Sequence, residues 1–198
     1  MIYYLELFGT FIFALTGALR GTKKHLDILG VVVLACCVGV GGGIIRDSII
    51  GCTPVTALIN QDFFLTSIFT GLFVFMFSKQ LKNHEKIINI CDAFGLGLFT
   101  FLGANKGFLF NLDIVGVVLS GAITAVGGGV IRDILSGEIP PTILKTDFYA
   151  TASVIGGLLF FILKNFGLSF TPLFLTIFLF VSIIRLAAMY FKINLPKS

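Results

Sequence analysis

Apolar residues run along this chain in seven long stretches separated by short polar connections. The stretches cover roughly 2–20, 28–50, 62–78, 88–105, 112–136, 147–164 and 168–188. Each comes close to the ~20 apolar residues that a spanning helix needs. The connections are brief and often basic, as in Thr22-Lys23-Lys24-His25 and Lys79-Gln80-Leu81-Lys82-Asn83-His84. The pattern predicts one all-α integral membrane domain over 1–198 with seven transmembrane helices.

The same pattern occurs twice. A shift of 86 residues lays Gly41-Gly42-Gly43-Ile44-Ile45-Arg46-Asp47 on Gly127-Gly128-Gly129-Val130-Ile131-Arg132-Asp133. Without a gap it also lays Gly9 on Gly95, Phe13 on Phe99, Asp27-Ile28 on Asp113-Ile114, and Gly51 and Pro54 on Gly137 and Pro140. Roughly 28 identities fall in about 77 aligned positions, more than shared apolar composition produces. Repeat one covers 2–78 and repeat two 88–164; 168–188 has no counterpart and is a seventh helix. Three helices per copy is an odd number, so the second copy must enter the membrane from the opposite side. That is an inverted-topology repeat.

Composition agrees. Hydrophobic residues make up 57% and charged residues 12%, with mean hydropathy +1.04. A soluble domain carries about 25% charged residues, so this chain cannot cover a soluble surface. The net charge of +4 does not point to nucleic acid, because the basic residues lie between apolar segments. They set orientation instead. With Arg46 and Arg132 discounted as membrane-embedded, one side holds ten Lys and Arg and the other only Lys106 and Lys164. The positive-inside rule then puts the N-terminus outside and the C-terminus in the cytoplasm. Met1 to Glu6 carries no basic run before the apolar stretch, which argues for a retained first helix over a cleaved signal. Cys36, Cys37, Cys52 and Cys91 form no CxxC pair and are expected to be small helix residues, without metal or disulfide. No Ser–His–Asp set or HExxH motif suggests an enzyme, and no cofactor is expected.

Candidate function centres on the doubled motif. Three glycines in a row cost a helix roughly 1 kcal/mol each relative to alanine. Irregular backbone at membrane depth survives only inside protein or beside a water-filled cavity. A kink lining a pathway is therefore expected at Gly41, Gly42 and Gly43 in the second helix and at Gly127, Gly128 and Gly129 in the fifth; close helix packing is the alternative. Arg46 and Arg132 follow by three residues and need partners at membrane depth. Asp47 and Asp133 are expected to point elsewhere, since neighbours on a helix do not share a face. Glu6 and Asp92, equivalent under the shift, are the expected partners, as Glu6–Arg46 and Asp92–Arg132. Asp27 and Asp113 are expected to cap helices. Pro54 and Pro140 are expected to end the Arg-Asp helices, and Tyr3, Tyr4, Tyr149 and Tyr190 to sit at membrane interfaces.

The doubled GGGxIRD motif resembles the bacterial membrane family that carries two glycine-transporter-type domains and is related to the trimeric intracellular cation (TRIC) channels. The similarity extends through Leu7–Ala18, Asp27–Val31, Asp92–Leu96 and Asp147–Ala150. It implies a homotrimer of seven-helix protomers in a bacterial inner membrane. Each protomer would pass monovalent cations, mainly potassium, through its own pore, bent at the glycines of the second and fifth helices. Animal members bind phosphoinositide through a lysine-bearing motif that is replaced here by Arg-Asp, so lipid regulation is not carried over. The family label also implies a second activity, secondary transport of glycine or another small solute; a zwitterion suits an arginine beside a carboxylate. A non-conducting structural role is a third reading.

Overall fold

A computed structural model describes residues 1–78, 84–140 and 148–191. Among them lie eight helices and no strand: α1 Ile2–Lys23, α2 Ile28–Ile49, α3 Thr56–Ile59, α4 Asp62–Phe77, α5 His84–Leu109, α6 Ile114–Leu135, α7 Ala150–Asn165 and α8 Phe170–Phe191. Five of them, α1, α2, α5, α6 and α8, are long and apolar enough to cross a membrane. The apolar α4 and α7 have 16 residues each, or about 24 Å at 1.5 Å per residue, against a hydrocarbon core of about 30 Å. α3 is a single turn between α2 and α4. Of the sequence features above, Lys79, Lys82, Lys145, Asp147, Lys192 and Lys197 lie outside the described residues.

The two copies start and stop their helices alike. Asp27 Oδ1 accepts the Gly30 N–H at 2.7 Å, and Asp113 Oδ1 accepts the Gly116 N–H at 2.8 Å. Each aspartate satisfies an otherwise orphaned first-turn donor of α2 or α6, as expected. At the other end, Gly51 and Gly137 sit at φ 75° and 73°, a left-handed conformation that glycine adopts without Cβ strain. α2 and α6 have therefore ended before Pro54 and Pro140 are reached, and the glycines do the stopping.

α1, α2 and α4 pack as one bundle, and α5, α6 and α7 as another, with α8 laid on α5 and α7. The bundles join where α1 meets α5 and α2 meets α6. Contacts across this seam come in reciprocal pairs. A Cβ on Gly9 would meet the Phe99 ring, and one on Gly95 would meet the Phe13 ring. A Cβ on Gly42 would meet the Thr124 carbonyl oxygen, and one on Gly128 the Val38 carbonyl oxygen. Under the 86-residue shift each contact becomes its partner. Reciprocity of this kind marks a two-fold relation between two surfaces. Phe13 and Phe99, equivalent residues, pair with each other at 4.9 Å between ring centroids.

Direction follows from the charged side chains. Arg46, near the end of α2, lies by Glu6 at the start of α1. Glu138, just past α6, lies by Arg20 near the end of α1. So α2 and α6 finish at opposite ends of α1 and run in opposite directions. Large apolar side chains remain exposed around the outside, among them Leu29, Phe69, Phe73, Leu119 and Ile183. In water such a surface would aggregate; against lipid tails it costs nothing.

Candidate functional site

Both α2 and α6 run as uninterrupted α-helix through their triple glycines. What the glycines provide is close approach. Gly42, Gly127 and Gly128 form the crossing of the two helices: a Cβ on Gly127 would stand 3.0 Å from Gly42 Cα, and one on Gly128 would stand 2.7 Å from the Val38 carbonyl oxygen. Gly41 lies under the Ile131 side chain. Gly43 faces open space, with only Arg46 Nη2 near it at 3.9 Å, and borders a crevice. Gly129 leaves room for the Tyr149 hydroxyl, 2.7 Å from where a Cβ would be.

One turn beyond each crossing sits a buried arginine. At the end of α2, Arg46 is 4% exposed and Asp47 1%. Arg46 Nη2 lies 4.0 Å from Glu6 Oε1, the outer edge of ion-pair range. Its Nε donates to Asp47 Oδ1 at 2.8 Å. Asp47 is held further by the Thr56 N–H at 2.9 Å and by Lys106, whose Nζ reaches Oδ1 at 2.8 Å and Oδ2 at 2.9 Å. Lys106 also donates to Thr56 Oγ1 at 2.6 Å. Glu6, Arg46, Asp47, Thr56 and Gly43 line a crevice of about 40 Å³, room for a few waters at ~10–15 Å³ each.

The second site stands at the end of α6. Arg132 Nη1 donates to Asp92 Oδ1 at 2.8 Å, and its Nε to Asp133 Oδ1 at 2.9 Å. All three are buried. Tyr149, in the turn before α7, is buried beside them, and the Arg185 guanidinium from α8 lies over its ring at 4.8 Å. Arg20 from the end of α1 reaches Glu138 Oε2 at 2.9 Å and Glu85 Oε1 at 3.2 Å. Lys24 pairs with Glu138 at 2.9 Å, and Lys23 with Glu85. Apart from Lys24, these side chains line a cavity of about 330 Å³.

The expected Asp92–Arg132 contact is thus close, and Glu6–Arg46 is long. Asp47 and Asp133 correct the expectation that they point away. A helix separates the Cα–Cβ directions of neighbours, but the arginine stem is long enough to fold back onto the next residue. Tyr149 corrects the interfacial expectation: it is in the core, whereas Tyr4 and Tyr190 are exposed. Arg20 and Arg185, counted as loop charges, are buried as well. Sequence reasoning also missed Lys106. The signal was present, because the same 86-residue shift lays Arg20 on Lys106 and Phe63 on Tyr149. Arg185, outside the repeat, had only its place inside an apolar run.

Glu138 lies beyond the helices. Its hydrogen bond from Lys24, together with the nearby charge of Arg20, holds its carboxyl below the usual carboxylate range. A carboxyl depressed in the folded state adds stability that is fully present above the ordinary carboxylate range and fades as pH falls through the lowered value. Melting curves of wild type and Glu138→Gln should therefore differ at neutral pH and converge in acid. A gap that persists in acid would show that the carboxylate is not the source.

A family model described as glycine transporter matches residues 3–79 and 89–165, two copies offset by the same 86 residues. The inner membrane protein YadS of Escherichia coli K12, of the UPF0126 group, is 38% identical over 159 residues, 80% of this chain and 76% of its own. A structure solved to explain conductance through TRIC cation channels superposes with a TM-score of 0.89 at 40% identity, covering 98% of this chain and 96% of that one. The TRIC channel orthologue from Rhodobacter sphaeroides gives 0.92 at 33% identity, covering 97% and 98%. With a doubled GGGxIRD motif, a fold shared at this level and family matches over most of its length, the chain belongs to the glycine-transporter-domain family of membrane proteins, structural relatives of the TRIC channels.

Proposed function

We propose that this chain is a passive cation channel with a pathway in each protomer of a homotrimer, conducting monovalent cations and chiefly potassium. The observation that carries this reading is the pair of buried arginine–carboxylate sites, one at each end of the glycine-packed α2–α6 crossing, each opening to a cavity. Buried charge on this scale in a membrane domain is costly and marks an ion or substrate route. Likeness to TRIC channels at 40% identity supports the ion. Gly43, Arg46, Asp47 and Glu6 border one half of the route; Asp92, Arg132 and Asp133 border the other. The glycines at the crossing serve as the thin wall of the pathway.

Seven spans are proposed: the five long helices plus the shorter α4 and α7. The reciprocal seam contacts and the opposite directions of α2 and α6 support two inverted three-helix repeats, with α8 added. Taking Arg20 and Arg185 from the basic-rich side and Lys106 from the poor side leaves eight against one. The bias still favours an outside N-terminus and a cytoplasmic C-terminus in a bacterial inner membrane.

A second reading has its own support. The larger cavity mixes four basic residues with four carboxylates, chemistry that also fits a zwitterion such as glycine. Flux through purified protein in liposomes separates the two. The channel reading expects gradient-driven potassium flux, changed by Arg46→Ala with Arg132→Ala and indifferent to glycine. Saturable glycine uptake with little potassium conductance would replace it with the transporter.

A further inference from the structure

The two half-sites differ in what α8 adds to them. α8 has no counterpart in the repeat and packs on α5 and α7. From it Arg185, 8% exposed, enters the cavity at the α6 end and lays its guanidinium over the Tyr149 ring at 4.8 Å. Tyr149 holds the place of Phe63 in the first copy, and the missing side chain of Gly129 makes room for its hydroxyl. The crevice at the α2 end draws its lining from α1 to α5 instead. Besides Arg185, the basic groups that line the larger cavity are Arg20, Lys23 and Arg132. Facing them are the carboxylates of Glu85, Asp92, Asp133 and Glu138. Among the described residues these groups leave one negative charge in excess, and Arg185 removes it.

Building on the channel reading, we propose that Arg185 is a specificity-determining residue: its fixed positive charge keeps the cavity at the α6 end from collecting divalent cations, while monovalent ones pass without being held. A charge on the wall of a cavity with low-dielectric surroundings changes the potential throughout it. The local concentration of an ion depends exponentially on its valence times that potential. Whatever factor one added charge takes from the local concentration of a monovalent cation, it takes the square of that factor from a divalent one. Conduction requires binding strong enough to admit an ion and weak enough to release it. A mouth with excess negative charge would hold divalent ions long enough to block. Attraction to the face of the Tyr149 ring fixes the guanidinium in place, and burial limits screening of its charge. Lys24 pairs with Glu138 from outside the lining and is present in every variant below.

Potassium conductance in planar bilayers at low salt, with Mg²⁺ added to each side in turn, tests this on wild type, Arg185→Gln, Arg185→Lys and the double variant Arg185→Gln with Glu138→Gln. Asn89→Asp is a further arm: Asn89 is exposed and lines the same cavity, so it shifts the charge by one unit with Arg185 untouched. Melting temperatures with Mg²⁺ and with choline report folding and cavity binding apart from conduction. Arg185→Gln and Asn89→Asp should be blocked from one side at several-fold lower Mg²⁺ than wild type, and Mg²⁺ should stabilise them more. The Mg²⁺ shift should exceed the shift in potassium conductance, approaching its square. Arg185→Lys should keep the wild-type Mg²⁺ sensitivity, and the double variant should regain it, because a carboxylate has been removed with the guanidinium. Unchanged Mg²⁺ sensitivity in Asn89→Asp and in a folded Arg185→Gln would overturn the role of Arg185 and leave the channel reading intact. Heightened sensitivity in Arg185→Gln that the double variant does not reverse, or that Asn89→Asp does not share, would trace it to lost packing and overturn the charge argument as well. Absence of potassium conductance in wild type and in every variant would overturn the channel reading, and this inference with it.

Discussion

Asp92→Ala should be among the most destabilising single substitutions in this protein. Arg132 is buried and donates to only two carboxylates among the described contacts, Asp92 and Asp133. Removing Asp92 leaves a buried guanidinium half compensated. Breaking a buried pair from one side costs about 3–5 kcal/mol, and the surviving Asp133 contact sets the lower end of that range, about 3 kcal/mol. The corresponding change in the first repeat, Glu6→Ala, should cost much less. Glu6 stands 4.0 Å from Arg46, is partly exposed, and Asp47 already holds that arginine. Replacing both members of the second pair, as Asp92→Leu with Arg132→Met, should recover much of the loss, because no charge is then stranded. Thermal melting in detergent, read by circular dichroism, compares all three. If Asp92→Ala melts no lower than Glu6→Ala, the short contact at the second site is not what anchors Arg132.

Alanine in place of Gly42 is expected to disrupt the α2–α6 crossing, whereas alanine one residue later is expected to do no harm. At Gly42 the new methyl would run into the Thr124 carbonyl oxygen, a backbone atom that cannot rotate away. The helices would have to separate, and overpacking of this kind costs about 1–3 kcal/mol. At Gly43 the nearest atom is the far end of Arg46, 3.9 Å away. There alanine gains about 1 kcal/mol of helix propensity with nothing to displace. The two variants should therefore move the melting temperature in opposite directions. Equal effects would mean that the glycines act by loosening the helix backbone, as a kink requires, and not by letting the helices touch.

Much of the architecture is legible in the amino-acid sequence. The 86-residue shift locates both copies, and the aspartates at 27 and 113 announce where α2 and α6 begin. Asp92 is identifiable as the partner of Arg132 because repeat equivalence and helix direction put both at one end of one bundle. Legibility stops at side chains whose direction depends on neighbours. Tyr149 occupies the position of Phe63, and nothing local says that its ring would be roofed by an arginine from α8. Lys106 stands in plain view as the counterpart of Arg20, yet its sequence context reads as a loop charge.

The sequence by itself determined the class, the periodic placement of the helices, their caps and the doubling, because hydropathy, capping and repeat register are local or strictly periodic properties. Tertiary structure decided the rest. It placed the triple glycines at a helix crossing, turned Asp47 and Asp133 back onto their own arginines, and sent two equivalent basic residues to different partners. Those outcomes depend on which groups are left unsatisfied once the bundles have packed. In a low-dielectric interior a buried charge takes whatever partner lies within reach of its long stem, and that reach is fixed in space, not along the chain.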